Sequence, residues 1–339
     1  MDMERKLVTI RRVSDIQPIE GADQIEVAQV DGWKCVVKKG DFKVGDKGVY
    51  FEIDSILPDR AEFEFMRHRH FRVRTIKLRG QVSQGLLMPI NTFPETADLD
   101  PQPEIGTDVT ELLGVVKYEL PLPADLAGRV RGNFPSFISK TDQERCQNIT
   151  REIQDLLGTR FEVTEKLDGS SMTVYLNEDV FGVCSRNLDL KEGETPDESC
   201  TQWKVAREMG LEAALKIIGD GYALQGELIG EGIQKNPYQL KGHHFRIFDL
   251  FDIKNQRYLT SDERMPLIKT MGLEDSMVPV INYDFILGHS VDDLLKLAEG
   301  KSALADTERE GLVFKSKDLV KGNTFSFKAI SNAFLLSEE

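Results

Sequence analysis

Cysteine is scarce in this chain: four among 339 residues, at positions 35, 146, 184 and 200. None form a CxxC pair, and the spacings suit neither a zinc site nor a small disulfide framework. Reduced thiols and a cytoplasmic location are therefore expected. Long apolar runs are missing as well; the longest are a handful of residues, against about twenty for a membrane span. The N-terminus, MDMERKLVTIRR, is charged where an export signal needs an apolar centre. His68-x-His70 and His243-His244 have no cysteine or carboxylate partner at ligand spacing, so they read as surface or strand histidines. Positive charge is also short: 43 basic residues face 57 acidic ones, a net charge of −14. Taken alone, that balance argues against a nucleic-acid binder. The segment from Arg67 to Arg79 departs from it, with Arg67, Arg69, Arg72, Arg74, Lys77 and Arg79 and no acid. Local potential steers a phosphate backbone. The same charges could equally protect an edge strand from aggregation, and the segment alone leaves both readings open.

The length predicts about two domains, together an α+β protein. Residues 1–90 read as a small all-β unit. Apolar strand runs around Leu7–Ile10, Ile25–Val30, Trp33–Val37 and Val49–Ile53 are separated by glycine turns, which suggests a barrel or sandwich. Residues 91–135, proline-rich and acidic, read as a linker or irregular excursion. Residues 136–339 read as a mixed unit. Thr141-x-x-Glu144 resembles a capping box opening a helix through Cys146, Ile149, Ile153 and Leu157. Strands are predicted over 161–166, 171–176, 180–185, 222–228, 244–252, 311–315 and 323–328. Helices are predicted over 196–218, broken at Gly210, over 262–271 with Ser261 as cap, and over 291–299 with Ser290 as cap.

Within that unit, FEVTEKLDGSSMTVYL sets Lys166 between Glu165 and Asp168 and runs into Gly169. A solvated lysine has a pKa of about 10.4 and is no nucleophile. Neighbouring carboxylates raise it further, unless they hold a divalent metal that suppresses the ammonium form. Lys166 and Asp168 project to one side of the extended chain, Leu167 to the core, and Gly169 permits a turn with positive φ. A bare K-x-D-G occurs by chance in on the order of one chain in ten of this length. What sets this one apart is its company: Ser185-Arg186-Asn187, Leu224-Gln225-Gly226-Glu227, Phe245-Arg246-Ile247-Phe248-Asp249, Glu310-Gly311-Leu312-Val313-Phe314-Lys315 and Phe325-Ser326-Phe327-Lys328.

In this order and spacing, these motifs resemble the covalent nucleotidyltransferase superfamily of polynucleotide ligases and mRNA capping enzymes. Only eleven residues follow Lys328, too few for the OB domain that DNA ligases and capping enzymes carry there. EKLDGSSMTV, SFKAISNAFLL and the lead-in NFPSFISKTDQERCQN resemble the ATP-dependent RNA ligases related to the phage T4 nick-sealing enzyme, in the branch with an N-terminal OB module. The resemblance implies that residues 136–339 form the adenylyltransferase domain. Lys166 would be the nucleophile that forms lysyl-AMP from ATP. Asp168, Glu227 and Glu310 would hold the catalytic Mg2+ or Mn2+, partly through water. Lys328 and Lys315 would contact phosphate, Arg186 ribose or phosphate, and Arg145 the departing phosphates. Phe248 and Val313 would sandwich adenine, and the backbone beside Glu165 and Leu167 would read its edge. Ser326 stands where phage-type enzymes often have a lysine.

IEGADQIEVAQVDGWKCVV is similar to an OB module that binds structured RNA. Trp33, Arg72, Arg74, Lys77 and Arg79 are its candidate contacts. The implied function is RNA repair: sealing 3′-OH and 5′-phosphate RNA ends, at nicks in duplexes, through lysyl-AMP and AMP-capped RNA, by a monomer. A DNA ligase or GTP-dependent capping-type enzyme is the first alternative; labelling by GTP rather than ATP would favour the capping enzyme. A non-catalytic RNA-binding protein on a ligase fold is the second. The presence of Lys166, Asp168, Glu227, Glu310 and Lys328 together opposes it.

Overall fold

The computed structural model describes residues 6–97, 103–118 and 128–337. The chain divides into two compact units: residues 1–121 with 147–150 and 335–339, and residues 122–146 with 151–334. In the first unit a five-stranded antiparallel sheet is organised around the long strand Val8–Pro18. This strand pairs with Ile25–Val30 along one stretch and with Lys47–Phe51 along another. A register shift between Val13 and Asp15 bends it between its two partners, the usual way one strand serves two sides of a curved sheet. Trp33–Lys38 and Leu86–Pro89 form the edges, and Thr75–Leu78 with Gln81–Gln84 make a separate hairpin.

Two parts of the 91–135 stretch, 98–102 and 119–127, lie outside the described residues. Residues 103–118 are built into the first unit. Val109, Leu113 and Val115 join its core, and the Ile10 N–H donates to the Thr107 carbonyl at 3.0 Å. The basic run is not a single edge strand: Ala61–Arg69 is a 3-10 helix, and only Thr75–Leu78 is extended.

The second unit holds a seven-stranded sheet and a five-stranded sheet. The larger is ordered Val130–Asn133, Leu188–Leu190, Val180–Cys184, Ser170–Asn177, Tyr222–Gly230, His243–Asp252, Arg257–Tyr258. Met172, Val174, Leu224 and Leu250 join Trp203, Leu211, Leu215 and Ile268 of the helices Thr201–Glu208, Leu211–Ile218 and Ser261–Thr270 in one core. The smaller sheet is ordered Glu144–Arg145, Ser326–Ile330, Gly311–Ser316, Arg160–Lys166, Val280–Ile286. Its pleat sorts residues by chemistry. One face carries Phe161, Phe314 and Phe327, with Phe314 stacked on Phe327 at 4.7 Å and Phe161 edge-on at 5.6 Å. Pairing places Lys166 opposite Gly311, Thr164 opposite Val313 and Val313 opposite Lys328, so the other face carries the polar set.

In the 196–218 stretch, Pro196–Glu198 is a separate 3-10 turn, and Gly210, with a left-handed backbone, divides the rest as expected into the helices Thr201–Glu208 and Leu211–Ile218. Thr260, rather than Ser261, caps the helix after it. The helix expected across 146–157 is not formed as one element. Glu144–Arg145 is a strand, Cys146–Asn148 a 3-10 turn and Thr150–Asp155 a short helix. Arg145 pairs in parallel with Lys328, and Asn148 serves Trp33 and Glu52. Tertiary partners take the groups a capped helix would have used. No described helix is long and apolar enough to cross a membrane, and all four cysteines are buried and form no disulfide.

Candidate active site

Lys166 ends its strand with the ammonium 2.7 Å from Glu310 Oε1, where Glu310 leads into Gly311–Ser316. Burial pulls the ammonium's pKa down, but Glu310, Glu227 and Asp168 together pull harder, so it lies above its ordinary value. Glu227 comes from the other sheet, at the register of Ser171 and Arg246. Burial pushes its carboxyl up to about 8; Lys166 opposes the shift, and Glu310 and Asp168 add to it. Three acids thus crowd one lysine, with too much negative charge for one ammonium to balance. A hard divalent cation fits that donor set, since carboxylate oxygens are what Mg2+ and Mn2+ take. Among the described residues, no three acid, histidine or cysteine side chains converge closely enough to hold an ion unaided. Water and substrate oxygens would complete such a shell, as they commonly do for Mg2+.

Gly169 is required for a reason other than the expected one. It is absent from the positive-φ glycines. Instead, a Cβ there would lie 2.5 Å from the Leu228 carbonyl and 2.8 Å from Glu227 Cγ. The turn after Lys166 therefore packs directly on the strand that carries Glu227.

Arg186 and Lys328 converge on one side chain that the sequence did not single out. The Asp142 carboxylate lies 3.3 Å from each, and Arg145, nearly buried, is the strand neighbour of Lys328. Phe248 is the extra residue of a β-bulge: Gln225 faces Asp249 and Gly226 faces Ile247, leaving Phe248 without a cross-strand partner. A bulge of this kind re-aims a side chain. Val313 is on the polar face of its sheet, and Leu167 is buried with Ile229, Tyr238 and Val278. Glu165 points to the opposite face, where its carboxylate accepts the Ala303 N–H at 2.8 Å, and its backbone N–H donates to the Pro279 carbonyl at 2.9 Å.

Lys315 is not with the other cations. It is buried, 2.8 Å from Asp249, and donates to the Phe248 carbonyl. Burial lowers its pKa against the pull of Asp249. Arg264 and Glu162 complete a buried cluster with it. Lys315 thus ties the two sheets together behind Phe248 and does not face a phosphate. Nothing in the sequence marks this, because a lysine two places after Val313 reads the same whether it ends in solvent or on a buried acid.

In the first unit Trp33 is fully buried, tilted against Tyr50 at 5.7 Å, with its indole N–H donating to Asn148. It presents no ring to a base. Arg72 is half-buried, paired with Asp54 at 2.9 Å and lying over the Tyr118 ring. Arg74, Lys77 and Arg79 are exposed along the Thr75–Gln84 hairpin and make no ion pair among the described residues.

A family model described as RNA ligase matches residues 159–330, slightly more than half the chain. The chain belongs to the RNA ligase family. A second model, described as an OB-fold domain, matches residues 7–90, so this RNA ligase carries an N-terminal OB-fold half-barrel before an α+β ligase domain. Solved structures of an RNA ligase from Naegleria gruberi resemble it along the whole chain. The form with PPi is 47% identical, with TM-score 0.89, covering 98% of this ligase and 98% of that chain. A mutant with ATP and Mn is 46% identical, with TM-score 0.89, covering 98% and 99%. A mutant with AMP and Mn is 46% identical, with TM-score 0.89, covering 99% of both. Among curated proteins none matches.

Proposed function

We propose that this RNA ligase uses ATP and a divalent metal to join RNA 3′-OH and 5′-phosphate ends at nicks in duplexes. The observation that carries the reading is the lysine itself. Lys166 sits 2.7 Å from Glu310, with Asp168 and Glu227 acting on the same charge, on the strand face shared with Lys328. The relative bound to ATP and Mn supports the choice of nucleotide and ion.

In the reaction proposed, the Lys166 amine, having lost a proton, attacks the α-phosphorus of ATP, and pyrophosphate leaves. A 5′-phosphate oxygen of RNA then displaces lysine from that phosphorus. Finally the 3′-OH attacks the RNA 5′-phosphorus and AMP departs. Asp168, Glu227 and Glu310 would hold the metal, whose chemistry is to favour the neutral lysine and offset charge on the α-phosphate. Lys328 and Arg186 stabilise charge growing on phosphate oxygens; both must first leave Asp142, an exchange of one anion for another. Arg145 meets the departing phosphates. Phe248 stacks on adenine with Val313 across the ring. On the OB module, Arg74, Lys77 and Arg79 grip the duplex backbone. We place the protein in the cytoplasm, as a monomer, in RNA repair.

The test is sealing of matched nicks with RNA or DNA on either side, with ATP or GTP. Sealing with ATP when the 3′-OH end is RNA is expected. Labelling by GTP instead, or sealing of all-DNA nicks alone, would replace this reading with a capping-type enzyme or a DNA ligase.

A further inference from the structure

Between Gly230 and His243 a loop folds back over the turn that carries Lys166 and Asp168. It touches that turn through hydrogen bonds to the backbone. The Asp168 N–H donates to the Tyr238 hydroxyl at 2.7 Å, and the Gln234 amide donates to the Gly169 carbonyl at 2.9 Å. The tyrosine ring is buried with Leu167, Ile229 and Val278, and with Leu240 packed alongside. The loop is also locked on itself. Asn236 donates to the Leu240 carbonyl at 2.9 Å and accepts the Leu240 N–H at 3.1 Å. The Glu231 N–H donates to Gly242 at 3.0 Å. Gln234, Asn236 and Gln239 sit at φ of 49°, 45° and 52°, a region that residues with side chains avoid unless their surroundings hold them there.

We propose that Tyr238, assisted by Gln234, is a positioning residue for lysine adenylylation: it clamps the backbone between Lys166 and Gly169 so that the Asp168 carboxylate and the Lys166 amine emerge at a fixed separation. The proposal rests on the function argued above. Tyr238 acts through the Asp168 amide, and a misplacement of about 1 Å at reacting groups can cost on the order of a hundredfold in rate.

Tyr238→Phe keeps the ring in its cluster and removes only the hydroxyl. Two measurements read it. In the metal-free and nucleotide-free protein, hydrogen exchange at the Asp168 amide should quicken about tenfold, the loss of one hydrogen bond. In single-turnover lysyl-AMP formation the maximal rate should fall about tenfold, with the ATP concentration for half-maximal rate little changed. Gln234→Ala, at an exposed position, should lower the same rate more weakly and leave the melting temperature unchanged. Wild-type exchange at Asp168 in Tyr238→Phe overturns the proposal, and so does a wild-type maximal rate. Absence of labelling in the unmutated enzyme would instead sink the proposed function, while the exchange measurement still decides whether the clamp exists.

Discussion

Glu227 holds the sharpest electrostatic conflict in the site. Its carboxyl is pushed from 4.5 up to about 8, first by burial. The folded, metal-free protein therefore keeps a proton there that the unfolded chain gives up. Its contribution to stability is full below about 4.5, is lost as pH rises toward about 8, and is flat above that. A divalent cation would take Glu227 as a carboxylate. Metal binding at pH 7 should therefore release about one proton from Glu227, and very little from Glu227 at pH 9, beyond any that Lys166 gives up at either pH. Calorimetric titration with Mn2+ in two buffers of different ionisation enthalpy measures this. Glu227→Gln should release about one proton fewer at pH 7; equal release by the variant and the unmutated protein would count against Glu227 as a ligand. At this scale the sequence was partly legible. Lys166 and Glu310 stand at the ends of two strands with clear apolar patterns, so pairing brings them together. Lys315 and Trp33 were misread, because their partners Asp249 and Asn148 are 66 and 115 positions away. Gly169 was recognised, but its role depends on the distance to another strand, which φ preferences do not encode.

Among elements, strands that cross the core were legible and those at the margins were not. Val280–Ile286 was missed although Ile281-Asn282-Tyr283-Asp284-Phe285 alternates apolar and polar residues; it is a sheet edge whose residues are mostly exposed. The bulge that frees Phe248 is a feature of register and has no local signature beyond Gly226 on the facing strand. The join between the sheets gives a test of Lys315. Lys315→Ala leaves Asp249 buried with, among the described residues, only Arg264 as a cation near it, at 3.7 Å. Removing one partner of a buried pair costs roughly 3–5 kcal/mol. Arg186→Ala, at an exposed pair with Asp142, should cost under about 1 kcal/mol yet reduce labelling. Denaturant melts of both variants separate a structural lysine from a phosphate-binding arginine. A Lys315→Ala protein of unmutated stability would return Lys315 to the phosphate.

The whole molecule must bind a polyanion while carrying a net charge of −14. On the OB module the basic run resolves into charges already committed and charges still available. Arg67 is held by Asp59 and Glu64, and Arg72 by Asp54. Arg74, Lys77 and Arg79 remain exposed. Replacing these three with alanine should weaken nicked-duplex binding and reduce the salt slope by about two to three units. The same change in Arg67 should leave the slope alone. An unchanged slope in the triple variant would move RNA contact to another surface. The proposed chemistry turns, however, on one atom. Incubation with α-labelled ATP and Mn2+, followed by mass spectrometry of the digested protein, should place AMP on Lys166 through an acid-labile, alkali-stable bond, and Lys166→Ala should take no label. Label retained by Lys166→Ala, or mapped to another lysine, would contradict the account at its centre.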